Sequence, residues 1–115
     1  MPLLITYGTV KDVAVVWLAG RIVLGKETGT LRQEVKKLFD EGYKKVVLNF
    51  DGITYIDSAG LGALVALYYN GKSCGASLRL CHLGSKFKDL LYLTKLNVVF
   101  EVLDTQEEAL RSFPD

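Results

Sequence analysis

The stretch from Lys44 to Leu67, KKVVLNFDGITYIDSAGLGALVAL, constrains the fold of this chain most strongly. Residues 46–50 are almost entirely apolar, which is typical of a strand that is covered on both faces. Asp51-Gly52 predicts the end of that strand, and apolar residues recur at helical spacing from Leu61 onwards. The stretch therefore predicts a central strand, a turn and a helix that begins near Ser58.

Ser58 is predicted to lie at the N-terminus of this helix, where a hydroxyl can accept a hydrogen bond from a free backbone N–H. Gly60 and Gly62 follow in the first turns, and each weakens a helix by roughly 1 kcal/mol relative to alanine. With Ala59 and Ala63 they leave a surface almost free of side chains around Ser58. We interpret this surface as one over which the backbone of a second protein can lie.

The string YIDSAGLG at residues 55–62, preceded by KVVLNF at 45–50, resembles the signature of the anti-sigma factor antagonists of the STAS domain family. Similar short matches flank it along nearly the whole chain: LAG at 18–20, LR at 31–32, GASLRL at 75–80, LTKL at 93–96 and EEAL at 107–110. The resemblance implies one STAS-like α/β domain over residues 1–115. Its expected fold is a mixed β-sheet of four to five strands with about four α-helices and an N-terminal β-hairpin.

The residue patterns themselves predict the same kind of fold, because strands alternate with helices after an initial hairpin. The predicted elements are strands at 3–10 and 13–20 around a turn at Lys11-Asp12, a helix from Thr28 or Thr30 to Glu41, a strand at 76–81, a helix capped by Ser85 and ending near 94–97, a strand at 98–103, and a helix opened by a capping box at 105–108.

The resemblance also implies a phosphorylation switch at Ser58. In such a switch the unphosphorylated protein binds an anti-sigma factor that is also an ATP-dependent serine kinase, and a sigma factor is released. Phosphorylation of Ser58 ends this binding, because a docking surface would then bury an unpaired dianion beside Asp57, and a serine phosphatase reverses it. ATP belongs to the kinase on this interpretation, so no cofactor is expected for this chain.

Arg21, Ile22 and Val23 stand where the family commonly carries Glu-Leu-Asp near the phosphorylated serine. The acidic contact with the partner is therefore absent. These three residues, with Asp57, Ser58, Ala59, Gly60, Gly62 and Ala63, form the predicted partner-binding surface. Ile22, Val23 and Leu24 are expected either to be exposed beside Ser58 or to continue the second strand and be buried.

A nucleotide-binding domain is a competing hypothesis, since residues 20–26 match the pattern G-x-x-x-x-G-K. Glu27 disfavours it, because the next position should be a hydroxyl residue that holds the metal. Catalysis is not expected: the only histidine, His82, is far in sequence from Ser58. Cys74 and Cys81 lack the spacing of a metal or redox site and are expected to be reduced.

Charge and hydropathy exclude further classes. The 14 basic and 13 acidic residues nearly balance, so no basic field would attract nucleic acid. The apolar stretches are shorter than the about 20 residues that cross a bilayer, and no signal peptide is recognised. We expect a cytoplasmic protein that is monomeric when free. A STAS scaffold in a signalling or transporter-associated complex, without phosphorylation, is the alternative function.

Overall fold

The computed structural model describes residues 2–114, which form one five-stranded sheet with four α-helices on its two faces. The strands lie in the order β1-β2-β3-β4-β5; β1 is antiparallel to β2 and the other neighbours are parallel. The predicted hairpin and mixed sheet are confirmed. The elements are β1 (Leu4–Val10), β2 (Val13–Ile22), α1 (Lys26–Asp40), β3 (Lys45–Ile56), α2 (Ser58–Ser73), β4 (Ser77–Cys81), α3 (Ser85–Leu93), a 3₁₀ turn (Leu96–Val98), β5 (Glu101–Leu103) and α4 (Gln106–Arg111).

The main core lies between one face of the sheet and helices α1, α2 and α3. Successive side chains of a strand point to opposite faces, and Val46, Leu48 and Phe50 are the buried residues that β3 turns toward these helices. The amphipathic helix α1 packs against them with four buried residues that recur at helical spacing along one stripe: Leu31, Val35, Leu38 and Phe39. The inward-facing residues of the strands and the apolar stripe of the helix thus form one apolar layer.

The short helix α4 covers part of the opposite face. Ala109 and the following Phe113 pack there against Val15, Val47 and Cys81. Arg79 holds the end of α4 in place, because its Nε donates a hydrogen bond to Ser112 Oγ at 2.9 Å and its guanidinium lies 4.5 Å from the centre of the Phe113 ring. Since α4 is short, it leaves the β1 side of this face uncovered.

Strand β3 runs without a break through Asp51 and Gly52, so the predicted strand end there is wrong. A bulge replaces the break: Trp17 pairs with Asn49 and Ala19 with Gly52, which leaves one extra residue on β3. The side-chain oxygen of Asn49 accepts a hydrogen bond from the Asp51 backbone N–H at 2.9 Å and stabilises the bulge. Gly52 is required where a β-carbon would meet Ala19 and the Leu18 carbonyl.

Other differences concern where elements begin. Helix α1 starts at Lys26, before the predicted Thr28 or Thr30, and the predicted strand 98–103 is a 3₁₀ turn followed by β5. Ser85 is the first residue of α3 and does not cap it, whereas Thr105 caps α4 as predicted by accepting from the Glu108 N–H. In the described chain, none of the helices combines the length and apolar character needed to span a bilayer.

Candidate functional site

Ser58 is the first residue of α2 and lies at the edge of the sheet where the parallel strands β2 and β3 end. The two strand ends are joined there, because the Asp57 N–H donates a hydrogen bond to the Ile22 carbonyl at 3.2 Å. The chain then turns directly into the helix. This connection presents Ser58 to solvent on a rigid support, and its side chain is exposed.

The cap of α2 is Asp57, not Ser58. The Asp57 backbone is extended, and its Oδ1 accepts a hydrogen bond from the Gly60 N–H at 2.8 Å, which is the cap interaction predicted for the serine. Ser58 follows with its hydroxyl free of side-chain hydrogen bonds to any residue in the range 2–114. Ser58 therefore has no capping role in the fold.

Asp57 also joins two segments of the site. Its Oδ2 accepts a hydrogen bond from the Leu24 N–H at 3.0 Å, so the carboxylate bridges the loop after β2 and the first turn of α2. The Leu24 N–H, followed by the Gly60 N–H, lowers the pKa of Asp57 below its usual value. Asp57 is thus ionised near neutral pH, and both of its carboxylate oxygens accept hydrogen bonds from backbone N–H groups.

The two glycines near Ser58 have different environments. Gly60 is buried, and a β-carbon there would collide with the Ile22 carbonyl and with the side chains of Ile22 and Ile56. Gly62 is exposed, and a β-carbon there would meet nothing within 4 Å. Gly60 therefore allows close packing of α2 on β2, while Gly62 leaves the solvent-facing turn without a side chain.

The predicted partner-binding set divides by exposure. Ile22 is fully buried in the main core because β2 extends through it, so of the two expectations the buried one holds. Gly60 and Ala63 are buried as well, so these three residues do not belong to the exposed surface around Ser58. Arg21, Ser58 and Gly62 are exposed, and Val23, Asp57 and Ala59 are half-buried.

Two further exposed residues belong to the site: Leu24 was among those expected to be exposed beside Ser58, and Tyr55 was not predicted from the sequence. Leu24 is 77% exposed in the loop before α1, and Tyr55 is 51% exposed near the end of β3. The Arg21 guanidinium lies 5.1 Å from the centre of the Tyr55 ring, on the paired position of the neighbouring strand. Alternation along β3 does not indicate Tyr55, since Ile53 points inward two residues earlier and a register shift separates the two positions. We call the exposed residues of this site the Ser58 surface: Arg21, Leu24, Tyr55, Ser58 and Gly62.

The structure does not form a phosphate loop from residues 20–26. Gly20, Arg21 and Ile22 are paired with β3 as strand, so only Val23, Leu24 and Gly25 separate β2 from α1. A phosphate loop needs the whole interior of the motif to wrap an anion with its backbone N–H groups. The cavity that Lys26 lines, about 100 Å³ beside Leu3 and Glu27, is also below the size of usual ligand pockets.

His82 and the other candidate ligands are placed away from a common site. The His82 Nε2 accepts a hydrogen bond from the Gln106 N–H at 3.2 Å, so the imidazole is used at the start of α4. Cys81 is buried and Cys74 exposed, and neither forms a disulfide. Over residues 2–114, no group of three histidine, cysteine or carboxylate side chains could hold a metal ion.

The STAS domain model matches residues 6–109, which is most of the chain and includes every residue of the Ser58 surface. The chain belongs to the STAS domain family. This STAS domain is 33% identical over 79 residues to a Thermotoga maritima protein named "Putative anti-sigma factor antagonist"; the match covers 65% of the chain and 70% of the relative. The resemblance to the anti-sigma factor antagonists is thereby confirmed.

Solved structures agree with this STAS fold. A Thermotoga maritima crystal structure of the same designation has a TM-score of 0.86 at 25% identity, covering 93% of this chain and 92% of that one. The anti-sigma factor antagonist SpoIIAA, unphosphorylated, has a TM-score of 0.74 at 15% identity, covering 96% and 100%. SpoIIAA of Bacillus in its phosphorylated form gives 0.73 at 16%, covering 94% and 97%. At such identities the SpoIIAA structures show a common fold alone.

The same fold occurs outside the antagonists. A sulfate transporter family protein of Wolinella succinogenes has a TM-score of 0.72 at 19% identity, covering 87% of this STAS domain and 83% of that chain. The fold alone therefore does not separate a phosphorylation switch from a scaffold. The two functions differ in the chemistry of the Ser58 surface, which a kinase modifies only in the phosphorylation switch.

Proposed function

We propose that this STAS domain is an anti-sigma factor antagonist controlled by phosphorylation of Ser58. The observation that carries the proposal is that the two residues at the start of α2 have different roles. Asp57 caps the helix, and Ser58 is exposed with a free hydroxyl. A serine without a structural role, held on a rigid turn, is a suitable substrate for a protein kinase.

A phosphate on Ser58 would be tolerated by the fold. It would add roughly −1.5 to −2 charges at the N-terminus of a 16-residue helix, where free N–H groups and the helix dipole favour an anion. Ser58 packs against nothing that the phosphate would displace, because the side chain is exposed. The switch therefore acts on binding and leaves folding intact.

Binding is expected to be lost on phosphorylation. The residues around Ser58 offer a partner uncharged side chains or bare backbone at Gly62, Leu24 and Ala59. A partner that covers a small hydroxyl there would have to bury a dianion next to the ionised Asp57, which costs far more than the lost hydroxyl contact. Contact through Arg21, Val23, Leu24, Tyr55, Asp57, Ser58, Ala59 and Gly62 defines the proposed docking area.

The partner in this proposal is an anti-sigma factor that is also a serine kinase and supplies the ATP. A serine phosphatase restores the binding form. The whole domain, residues 1–115, acts in the cytoplasm, where sigma factors work. Support comes from the relatedness to a Thermotoga maritima protein named for this role and from the free Ser58 hydroxyl.

A STAS scaffold in a signalling or transporter-associated complex is the second candidate. Two observations favour it: Arg21 stands where an acidic residue is expected, and the fold is shared with a sulfate transporter family protein. In that case the Ser58 surface binds a partner whatever the phosphorylation state. Ser58 itself would then be dispensable, because it does not cap α2.

The experiment is a capture of partners from the source cell with wild type, Ser58→Ala and Ser58→Asp, combined with intact-mass measurement after incubation with ATP and the captured kinase. We expect the alanine form to retain an anti-sigma factor and the aspartate form to lose it. Wild type, but not Ser58→Ala, should gain one phosphate.

Ser85 supplies a matched control, since it is also an exposed first residue of a helix. Ser85→Ala and Ser85→Asp should bind and be phosphorylated as wild type is. Retention of the same partner by Ser58→Asp, with no added phosphate on wild type, would reject the switch and favour the scaffold.

A further inference from the structure

The outer edge of β1 lacks the protection that edge strands usually carry. β1 is seven residues long, LITYGTV, and contains neither a charged residue nor proline. The opposite edge of the sheet, β5, has only three residues and begins with Glu101. Shortness and charge are common protections of edge strands, so β5 is protected and β1 is open to pairing with another strand.

The backbone groups that face outward from β1 follow from the hairpin. Val10 pairs with Val13 across the two-residue turn, so these two residues form the hydrogen-bonded pair that closes it. Hydrogen-bonded and non-bonded pairs alternate along an antiparallel ladder. The N–H and C=O groups of Ile5, Tyr7 and Thr9 therefore point away from β2, along the free edge.

Exposed side chains flank this edge on both faces of the sheet. Tyr7 is 51% exposed and pairs with Val16, which faces the main core. Leu4 is 57% exposed on the face that α4 leaves uncovered on this side, and Val10, on the same face, is 39% exposed beside the end of α4. A strand that paired here would thus gain apolar contacts above and below its hydrogen bonds.

In place of the monomer expected from the sequence, we infer that β1 pairs antiparallel with β1 of a second copy, about a two-fold axis through Tyr7. Tyr7 is the middle residue of the strand and points its backbone groups outward. In this register Tyr7 lies opposite Tyr7 of the second copy, and Ile5 lies opposite Thr9. About six backbone hydrogen bonds form, two for each facing pair, so every outward group of both strands is used.

The side chains agree with this register. Leu4 lies opposite Val10 of the second copy, so both exposed apolar residues that β1 has on this face gain an apolar neighbour, and symmetry repeats the contact. A second copy is favoured over an unrelated strand because one register pairs these residues and satisfies the whole edge. The product is a continuous ten-stranded sheet, twice the five strands of one chain.

The dimer leaves the Ser58 surface free. The two-fold axis reverses the strand direction, so the edges where β2 and β3 end lie on opposite sides of the joined sheet. Each dimer then presents two Ser58 surfaces for docking, and the inference stands whether or not Ser58 is phosphorylated.

Sedimentation equilibrium of the full chain over a concentration series tests the inference. We expect wild type to approach twice the chain mass. Tyr7→Lys and Tyr7→Glu should each dissociate at least about tenfold more readily, because like charges directly opposite each other repel. An equal mixture of the two variants should recover dimers, because lysine then lies opposite glutamate.

Tyr92→Lys is the matched control, since Tyr92 is an exposed tyrosine on α3, away from β1, and it should dimerise as wild type does. Circular dichroism and urea unfolding check that each variant folds. A wild type that stays monomeric at millimolar concentration overturns the inference, and the edge is then available only to another protein. Dimers that persist in both Tyr7 variants, or a mixture that fails to recover them, overturn it as well.

Discussion

The Asp57 carboxylate accepts a hydrogen bond from the Leu24 N–H at 3.0 Å and thereby fixes the loop after β2 to the start of α2. Its other oxygen accepts from Gly60 in the helix. One side chain thus sets the position of both segments that flank Ser58. The rigidity of the Ser58 surface depends on this residue.

Replacement of Asp57 should destabilise the fold more than replacement of Ser58. Asp57→Ala removes an N-cap and leaves the Leu24 and Gly60 N–H groups without their acceptor. Ser58→Ala removes a hydroxyl that does not cap α2, so its free energy of unfolding should stay within about 0.5 kcal/mol of wild type. Urea unfolding at neutral pH measures both. Equal losses in the two variants would contradict the assignment of the cap.

The contribution of Asp57 should also disappear in acid. The Leu24 and Gly60 N–H groups lower its pKa in the folded state from the ordinary 3.8. Ionised Asp57 therefore stabilises the fold above the ordinary value, and this stabilisation is lost as the pH falls through the lowered pKa. The difference in urea midpoint between wild type and Asp57→Asn should shrink over this range. Ser58→Ala, which leaves the Asp57 carboxylate in place, is the control and should show no comparable trend.

Gly60 and Gly62 should respond oppositely to alanine. Gly60→Ala places a methyl against the Ile22 carbonyl and should cost about 1–3 kcal/mol of stability through overpacking. Gly62→Ala meets open space and should stabilise the helix by about 0.4–1 kcal/mol. Thermal unfolding of the Gly60→Ala and Gly62→Ala variants measures the two changes in stability. A stable Gly60→Ala protein would argue against the close contact of α2 with β2.

Gln106 should be needed to hold α4 on the sheet. Its Oε1 accepts hydrogen bonds from Trp17 Nε1 and from Asn49 Nδ2, both at 2.9 Å, and Asn49 is buried. Gln106→Ala leaves the Asn49 amide without this acceptor, which should cost about 1–3 kcal/mol. Urea unfolding, followed by the fluorescence of the single tryptophan, measures the loss. Glu107→Ala, at the next and exposed residue, should change stability little.

The two cysteines should differ sharply in reactivity. Burial, with the negative charges of Glu107 and Asp51, raises the pKa of Cys81 to about 11. About one Cys81 thiol in a thousand is then ionised at pH 8, whereas Cys74 is exposed. A thiol reagent should label one cysteine quickly, and Cys74→Ser should abolish this label. Equal labelling of both cysteines in the native protein would show that Cys81 is accessible.

The sequence by itself determined the family, the mixed sheet with its hairpin and the position of Ser58 at a helix start. These depend on local signals: the apolar run at 46–50, strict helical spacing in α1, and a polar turn at Lys11-Asp12. Such signals survive in the fold because each is a property of a few neighbouring residues. Local composition also misled the prediction of the strand end, since Asp51-Gly52 has the composition of a turn but forms a bulge within a longer strand.

Only the tertiary structure decided which side chains around Ser58 are accessible and what each one does. Ile22 and Gly60 are buried because α2 packs onto β2, and Asp57 also binds the Leu24 N–H of a loop 33 residues earlier. The open edge of β1 likewise appears only once the strand order is known. Burial, long-range hydrogen bonds and strand neighbours are relations between distant segments, and no local pattern contains them.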